Sequence, residues 1–259
     1  MFENVSYGVK SDIGLHRCNN EDHSLIVDPS CNRYNLKQLG IVFVIADGLG
    51  GHAAGEIASR MACEEVVSAY YRDDLRFPDQ ADTDEWKVRK LETAIRSAHD
   101  KIFHLSMEKA ELRGMGTTLS ALVITESKAL IGQVGDSRIY RRRNHASERM
   151  TIDHTKSQAL IDMGQIRPGN ENSLGCGHIL TQALGGYDDL DAVFTRVEDL
   201  KRGDLFLLCT DGLHGLVTDH EIEEILNNNS LPQATCDTLV QAAIRKGGDD
   251  NITVMIIQV

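Results

Sequence analysis

The chain has 259 residues, 41% hydrophobic and 25% charged, which is enough apolar material for a sizeable core and too much for a disordered chain. Its formal net charge of -12 argues against nucleic acid or an anionic membrane as the main partner, because both reward basic surfaces. The start MFENVSYGVK has no secretory-signal pattern and no apolar run nears the roughly 20 residues that cross a bilayer. The six cysteines are scattered without a C-x-x-C pair, so free thiols in a reducing cytoplasm are expected.

In chain order, the first clear element is the β-branched run 41–46, which predicts a buried strand stopping at Asp47. A glycine-rich corner follows, then a helix expected from about Ala54 that buries Ile57, Ala58, Met61, Ala62, Val66 and Ala69. The acidic stretch RDDLRFPDQADTDEW reads as an exposed connection. From Val88 onward, Leu91, Ile95, Ala98, Ile102 and Leu105 alternate steps of three and four, so they share one helix face. Strands are expected at 119–124 and 129–134, then at 205–209, and after a further helix at 252–257. Segment 153–178 is poor in periodicity and rich in Gly and polar residues, and is either a surface excursion or a lid.

Regular strand–helix alternation is missing, which disfavours a doubly wound parallel sheet. Strands that follow one another directly suggest antiparallel sheets with helices packed outside, an α+β fold. With no Pro- or Ser-rich linker, residues 1–259 read as a single domain.

Carboxylates fall at repeated places in this pattern. VIADG closes a strand with Asp47, GQVGDS with Asp136 and LLCTDG with Asp211, while Asp250 in GGDDNITVMI stands just before the last strand. Singly, each Asp-Gly is an ordinary turn dipeptide, and Asp250 a turn or cap residue. Jointly, acids at the ends of long apolar strands collect on one rim, where like charges raise one another's pKa unless a divalent cation intervenes. Oxygen-only ligands select hard ions, Mg²⁺ or Mn²⁺, and two such ions can activate a water for phosphate ester hydrolysis.

These motifs resemble, in order and over nearly the whole chain, those of the metal-dependent protein phosphatases of type 2C, the PPM family, in its compact bacterial form. The opening motif is SDIGLHRCNNEDHSLI, followed by VIADGLGGHAAGEIAS, GMGTTLSALVI, VGDSRIY, LTQALGG, LFLLCTDGLHGLV and DDNITVMII. The resemblance implies a four-layer α-β-β-α sandwich of two central antiparallel sheets flanked by helices. It implies Mn²⁺ or Mg²⁺, two ions in the core site, with Asp47 bridging them. Asp211 and Asp250 complete the shell of the first, and Glu21 with the Gly48 carbonyl holds the second. Asp136 with Asp211 forms a looser third site. Arg17 grips the substrate phosphate, as its planar fork of donors suits. His52 is a candidate general acid or packs the glycine-rich corner, and Asp22 acts through metal-bound water or braces its loop.

Segment 153–178 corresponds to the family's variable flap, where GNENSLGCGH departs from the usual run. RIYRRRNH reads either as a binder of acidic or phosphorylated partners or as an exposed strand end with solvated arginines. The function implied is hydrolysis of phosphoserine and phosphothreonine in proteins, by direct attack of a hydroxide bridging two divalent ions. A monomer acting on phosphorylated protein substrates, opposing a bacterial Ser/Thr kinase, is expected. The alternatives are a phosphatase for small phosphate esters and a non-catalytic phosphoprotein-binding relative; the intact acids Glu21, Asp47, Asp211 and Asp250 weigh against the latter. A dinucleotide site on Gly48, Gly50 and Ala53 is disfavoured, since Asp47 would place negative charge beside a pyrophosphate.

Overall fold

The computed structural model describes residues 2, 5–49, 53–72, 83–167, 178–186, 189–191, 193–228 and 231–259. Its strands are β1 (Ser6–Asp12), β2 (Asp22–Val27), β3 (Ile41–Leu49), β4 (Gly116–Thr117), β5 (Leu119–Ile124) and β6 (Lys128–Val134). They continue with β7 (Arg138–Arg143), β8 (Ala146–Arg149), β9 (Phe194–Asp199), β10 (Leu205–Cys209) and β11 (Ile252–Gln258). The α-helices are α1 (Leu36–Leu39), α2 (Ala53–Tyr70), α3 (Asp84–Glu108), α4 (Lys156–Asp162), α5 (Asp211–His214), α6 (Asp219–Asn228) and α7 (Pro232–Arg245).

One sheet has the order β1-β11-β10-β7-β8 and the other β2-β3-β5-β6-β9, with β4 paired to β3. Neighbouring strands run antiparallel throughout both orders. Side-chain alternation sets the layers. On β3, Ile41, Phe43 and Ile45 point between the sheets, where they meet Phe206, Leu208, Met255 and Ile257. Val42, Val44 and Ala46 point the other way, into the core shared with α2 and α3. On β11, Ile252, Val254 and Ile256 face α7 in the same fashion. The four-layer sandwich expected from the resemblance is the fold observed. Full burial of Phe43 contributes about 2–3 kcal/mol relative to an exposed ring.

Several boundaries differ from the sequence reading for local reasons. Helix α3 begins at Asp84, before the apolar periodicity does. The Thr83 side chain accepts from the Trp86 N–H, and Asp84 and Glu85 sit in the positive first turn. The end of the expected acidic connection is therefore helix, and 73–82 lie outside the described residues. Strand β3 does not stop at Asp47 but runs to Leu49, because β4 offers Gly48 and Leu49 partners in Thr117 and Gly116. The flap segment contains α4, capped by Thr155, while 168–177 lie outside the described residues.

The reading of solvated arginines in RIYRRRNH is corrected. Arg138 holds Asp153 at 2.6 Å, Arg141 holds Glu148 and Glu198 at 2.9 and 2.8 Å, and Arg143 holds Asp204 at 2.6 Å.

Candidate active site

At one end of the sandwich the two sheets bring their acids together. Asp47 sits on β3, directly opposite Asp22 of β2 in the strand register. Asp136 lies in the turn between β6 and β7, Asp211 is the first residue of α5 after β10, and Asp250 precedes β11. Glu21 comes just before β2. A cavity of about 410 Å³ is lined by Arg17, Glu21, Asp47, Gly48, Asp211 and Asp250, together with Cys18, Asn19, Leu49 and Asn251. Asp22 and Asp136 are both buried, and neither lines the cavity.

The glycine-rich corner is tight because three segments crowd there. A Cβ on Gly48 would stand 2.2 Å from the Gly55 carbonyl oxygen, and one on Gly55 would stand 2.1 Å from Glu21 Oε2. The Gly48 N–H also donates to the Glu21 carbonyl at 3.1 Å. Only glycine permits that approach, which seats the Glu21 carboxylate beside the start of α2. Asp211-Gly212 is likewise no hairpin turn. It opens α5, and a Cβ on Gly212 would meet the Asn251 carbonyl oxygen at 2.0 Å.

Polar residues that the sequence reading passed over hold these acids in place. The Asp47 N–H donates to Thr118 Oγ1 at 3.0 Å, Thr117 Oγ1 donates to the Asp47 carbonyl at 2.8 Å, and Thr118 Oγ1 lies 2.7 Å from Ser137 Oγ, beside Asp136. Thr210 Oγ1 donates to Asp22 Oδ2 at 2.9 Å and accepts from the Thr253 N–H. Asn251 is the most connected. Its Oδ1 accepts from the Glu21 N–H at 2.7 Å, and its Nδ2 donates to the Ile13 and Asn19 carbonyls at 3.0 and 2.9 Å. One buried amide thus ties the loop bearing Arg17 and Glu21 to β11. The available signal was a polar residue at the edge of an apolar run, as in GTTLS, LLCTDG and DNITV.

Electrostatically the acids are under-compensated. Burial first, then the charges of Asp22, Asp211 and Asp136, push Asp47 well above the usual carboxylate range. Burial and then Asp211 push Asp136 up to about 8. Burial lifts Asp22 to about 7, although Thr253 and Thr210 oppose the rise by hydrogen bonding. Asp211 is raised by burial and by Asp250, against the pull of its hydrogen bond with Asp47 and of Arg17. Asp22 Oδ1 and Asp211 Oδ1 are buried with no hydrogen-bond partner. Half-buried His214, driven down to about 3 chiefly by desolvation, is neutral and donates from Nε2 to the Asp136 carbonyl at 3.0 Å.

Arg17 is the cation at the cavity, its Nη2 2.6 Å from Asp250 Oδ2, with its side chain 55% exposed. Among the described residues, no three His, Cys, Asp or Glu side chains form a ready metal cage. Asp250 turns to Arg17, so the acids that line the cavity do not close on one point. Of the residues singled out from sequence, Arg17, Glu21, Asp47, Gly48, Asp211 and Asp250 meet at this cavity. Asp22 and Asp136 pack behind it, and His52 lies outside the described residues. Among the described residues five cysteines are free, and no helix is long and apolar enough to cross a membrane.

Residues 30–246 match the family described as Protein phosphatase 2C. Over 247 residues the chain is 34% identical to the protein phosphatase PhpP of Streptococcus pneumoniae serotype 2, covering 95% of this chain and 94% of that one. It is 32% identical over 249 residues to the serine/threonine phosphatase stp of Listeria monocytogenes serotype 4b, covering 96% and 94%. The solved catalytic domain of the serine/threonine protein phosphatase PstP, in complex with 2 manganese ions, is 31% identical. It superposes with a TM-score of 0.78 over 98% of this chain and 97% of that one.

Proposed function

Because the chain belongs to the protein phosphatase 2C family, we propose that its acidic cavity hydrolyses phosphoserine and phosphothreonine esters of proteins with the help of divalent ions. The observation that carries this reading is the gathering of Asp22, Asp47, Asp136 and Asp211, all pushed upward, with two buried carboxylate oxygens left unpartnered. An oxygen-only donor set of this kind fits Mg²⁺ or Mn²⁺. Asp47, Asp211 and Asp250 would hold one ion, and Glu21, Asp47 and the Gly48 carbonyl a second. Asp136 with Asp211 would hold a looser third. Bound there, such ions would supply Lewis acidity that makes a water nucleophilic near neutral pH for phosphate ester hydrolysis.

The protein's own groups do the rest. Arg17 binds the non-bridging oxygens of the phosphate in a bidentate grip. To do so it leaves Asp250, and because that ion pair is exposed, parting it costs no more than about 1 kcal/mol. Release of Asp250 frees the carboxylate to serve as a ligand, so occupancy of the cavity and presentation of Arg17 are coupled. Asp22 braces the loop before β2 through Thr210 or touches ion-bound water. His52 gives the leaving serine or threonine oxygen its proton, or else packs the glycine corner. A single domain, acting as a monomer in the cytoplasm and opposing a Ser/Thr kinase, completes the proposal.

The test is direct. Purified protein with Mn²⁺ should hydrolyse p-nitrophenyl phosphate and a phosphothreonine peptide, and EDTA should abolish both. Activity on the small ester alone would favour a small-ester phosphatase. Activity undiminished by EDTA would refute the ion-dependent reading.

A further inference from the structure

At the other end of the β7–β10 pair lies a second, oppositely charged cavity. Strand register places Arg142 against Leu205 and Arg138 against Cys209, so Arg142 stands four residues, roughly 13 Å along the strand, from the end that carries Asp136 and Asp211. This cavity, of about 290 Å³, is lined by Arg142, Arg143, His145, Lys201, Arg202 and Asp204, among others. In a chain of net charge -12 it is a local concentration of four full cations and one carboxylate. That carboxylate, Asp204, is spent on Arg143 through contacts of 2.7 and 2.6 Å.

The other cations have little to hold them. Lys201 and Arg202 are exposed and make no ion pair among the described residues. Arg142 differs from its neighbours Arg141 and Arg143, each of which grips a carboxylate. Its Nη1 and Nη2 reach only the Leu226 and Gly203 carbonyls, at 3.4 and 3.5 Å, and its buried Nε has no partner. Bonds of that length are weak. The guanidinium can therefore swing toward the cavity with almost no loss. The same hairpin lines the cavity with its tight β7–β8 turn, where Asn144 and His145 both take left-handed backbone angles, φ 51° and 66°, which non-glycine residues rarely adopt.

We propose that this cavity is a second anion site, distinct from the acidic one, that binds a phosphate group. Arg142 supplies a planar fork of donors suited to two phosphate oxygens, and Lys201 and Arg202 supply unpaired charge at the mouth. A concave wall of one sign focuses its field, so it concentrates anions that the overall negative surface repels. The phosphate is either free or carried by a phosphorylated protein segment, and the chemistry of the two is the same.

Isotope-labelled protein kept metal-free in EDTA would be titrated at constant ionic strength with inorganic phosphate and, separately, with a phosphothreonine peptide. Saturable NMR shifts at Asn144, His145 and Gly203 are expected, with affinity falling about tenfold or more in Arg142→Gln and in Arg202→Glu. Turnover of p-nitrophenyl phosphate by the manganese-loaded variants should stay within about twofold of the parent, because neither residue touches the acidic cavity. Saturation by both titrants assigns the free anion as sufficient, and saturation by the peptide alone assigns a phosphorylated segment. Shifts that do not saturate, that chloride reproduces, or that persist in Arg202→Glu would overturn the proposal. Arg202 is exposed, so that variant tests the site even if Arg142→Gln weakens the fold.

Discussion

Two charged regions at the edges of one sandwich follow opposite rules. Around β7, β8 and β9, Arg138, Arg141, Arg143 and Arg196 each meet carboxylates at 2.6–3.0 Å, and Asp153 stays below the usual carboxylate range because Arg138 outweighs the upward push of burial. Around Asp47 the acids face one another, and burial with mutual repulsion drives them upward. Both regions remove charge from water, but only the first matches it internally. The first is an investment in the fold; the second holds carboxylates that are relieved by a proton or by a cationic ligand, which is how a binding site differs from a structural network.

The comparison can be broken by exchanging charge for neutrality in each region. Asp47→Asn should lower turnover by about four orders of magnitude, if each tenfold loss reflects about 1.4 kcal/mol of lost transition-state stabilisation. The same change should leave the metal-free protein at least as stable as its parent, as a thermal melt in EDTA would show. A melt that falls sharply would mark Asp47 as structural. Asp153→Ala should do the reverse, costing about 3 kcal/mol in urea unfolding because it leaves the largely enclosed Arg138 with only the looser Asp219 contact at 3.7 Å. A loss under about 1 kcal/mol would restore the reading of solvated arginines.

Asn251→Ala removes three hydrogen bonds from the Arg17–Glu21 loop and should cost about 2 kcal/mol. It should raise KM for p-nitrophenyl phosphate more than it lowers kcat, as steady-state kinetics would separate. A further effect concerns pH. In the folded chain Asp22 and Asp136 hold their protons to about 7 and about 8, against an ordinary 3.8. Between about 4 and about 8 the native state therefore binds more protons than the unfolded one, and stability declines as pH rises. Each such group contributes a slope of about 1.4 kcal/mol per pH unit at most. Denaturant melts of EDTA-treated protein across that range should show the decline, and saturating Mn²⁺ should flatten it.

How much of this was legible in the sequence follows from what each residue depends on. Strands β3, β5, β6, β10 and β11 are buried on both faces, so their apolar runs announced them. Strands β7, β8 and β9 carry arginine, glutamate and aspartate, because partners distant in sequence neutralise those charges. No local pattern reveals Arg141 meeting Glu198 across the sandwich. Asp47, Asp211 and Asp250 were readable because each adjoins an apolar run, whereas Glu21 was implied only by the family resemblance. The residues that hold them, Thr118, Thr210 and Asn251, were not, since a threonine or asparagine beside a strand looks the same whether it braces a carboxylate or faces water. Asp211 was separable from a plain Asp-Gly turn only jointly with the other acids. The four-residue helix α5 that it opens is too short to leave a periodic trace.

The core between the sheets also acts as a spacer for the chemistry. Asp22 and Asp47 ride on one sheet, whereas Asp211 and Asp250 flank strands of the other. The gap in which the proposed ions would sit is therefore gauged by Phe43, Phe206, Met255 and their neighbours between the sheets. Sheets packed face to face keep a separation fixed by side-chain bulk. Trimming or enlarging those hydrophobic residues would act like turning the screw of a caliper, altering ion preference from behind without touching a single ligand.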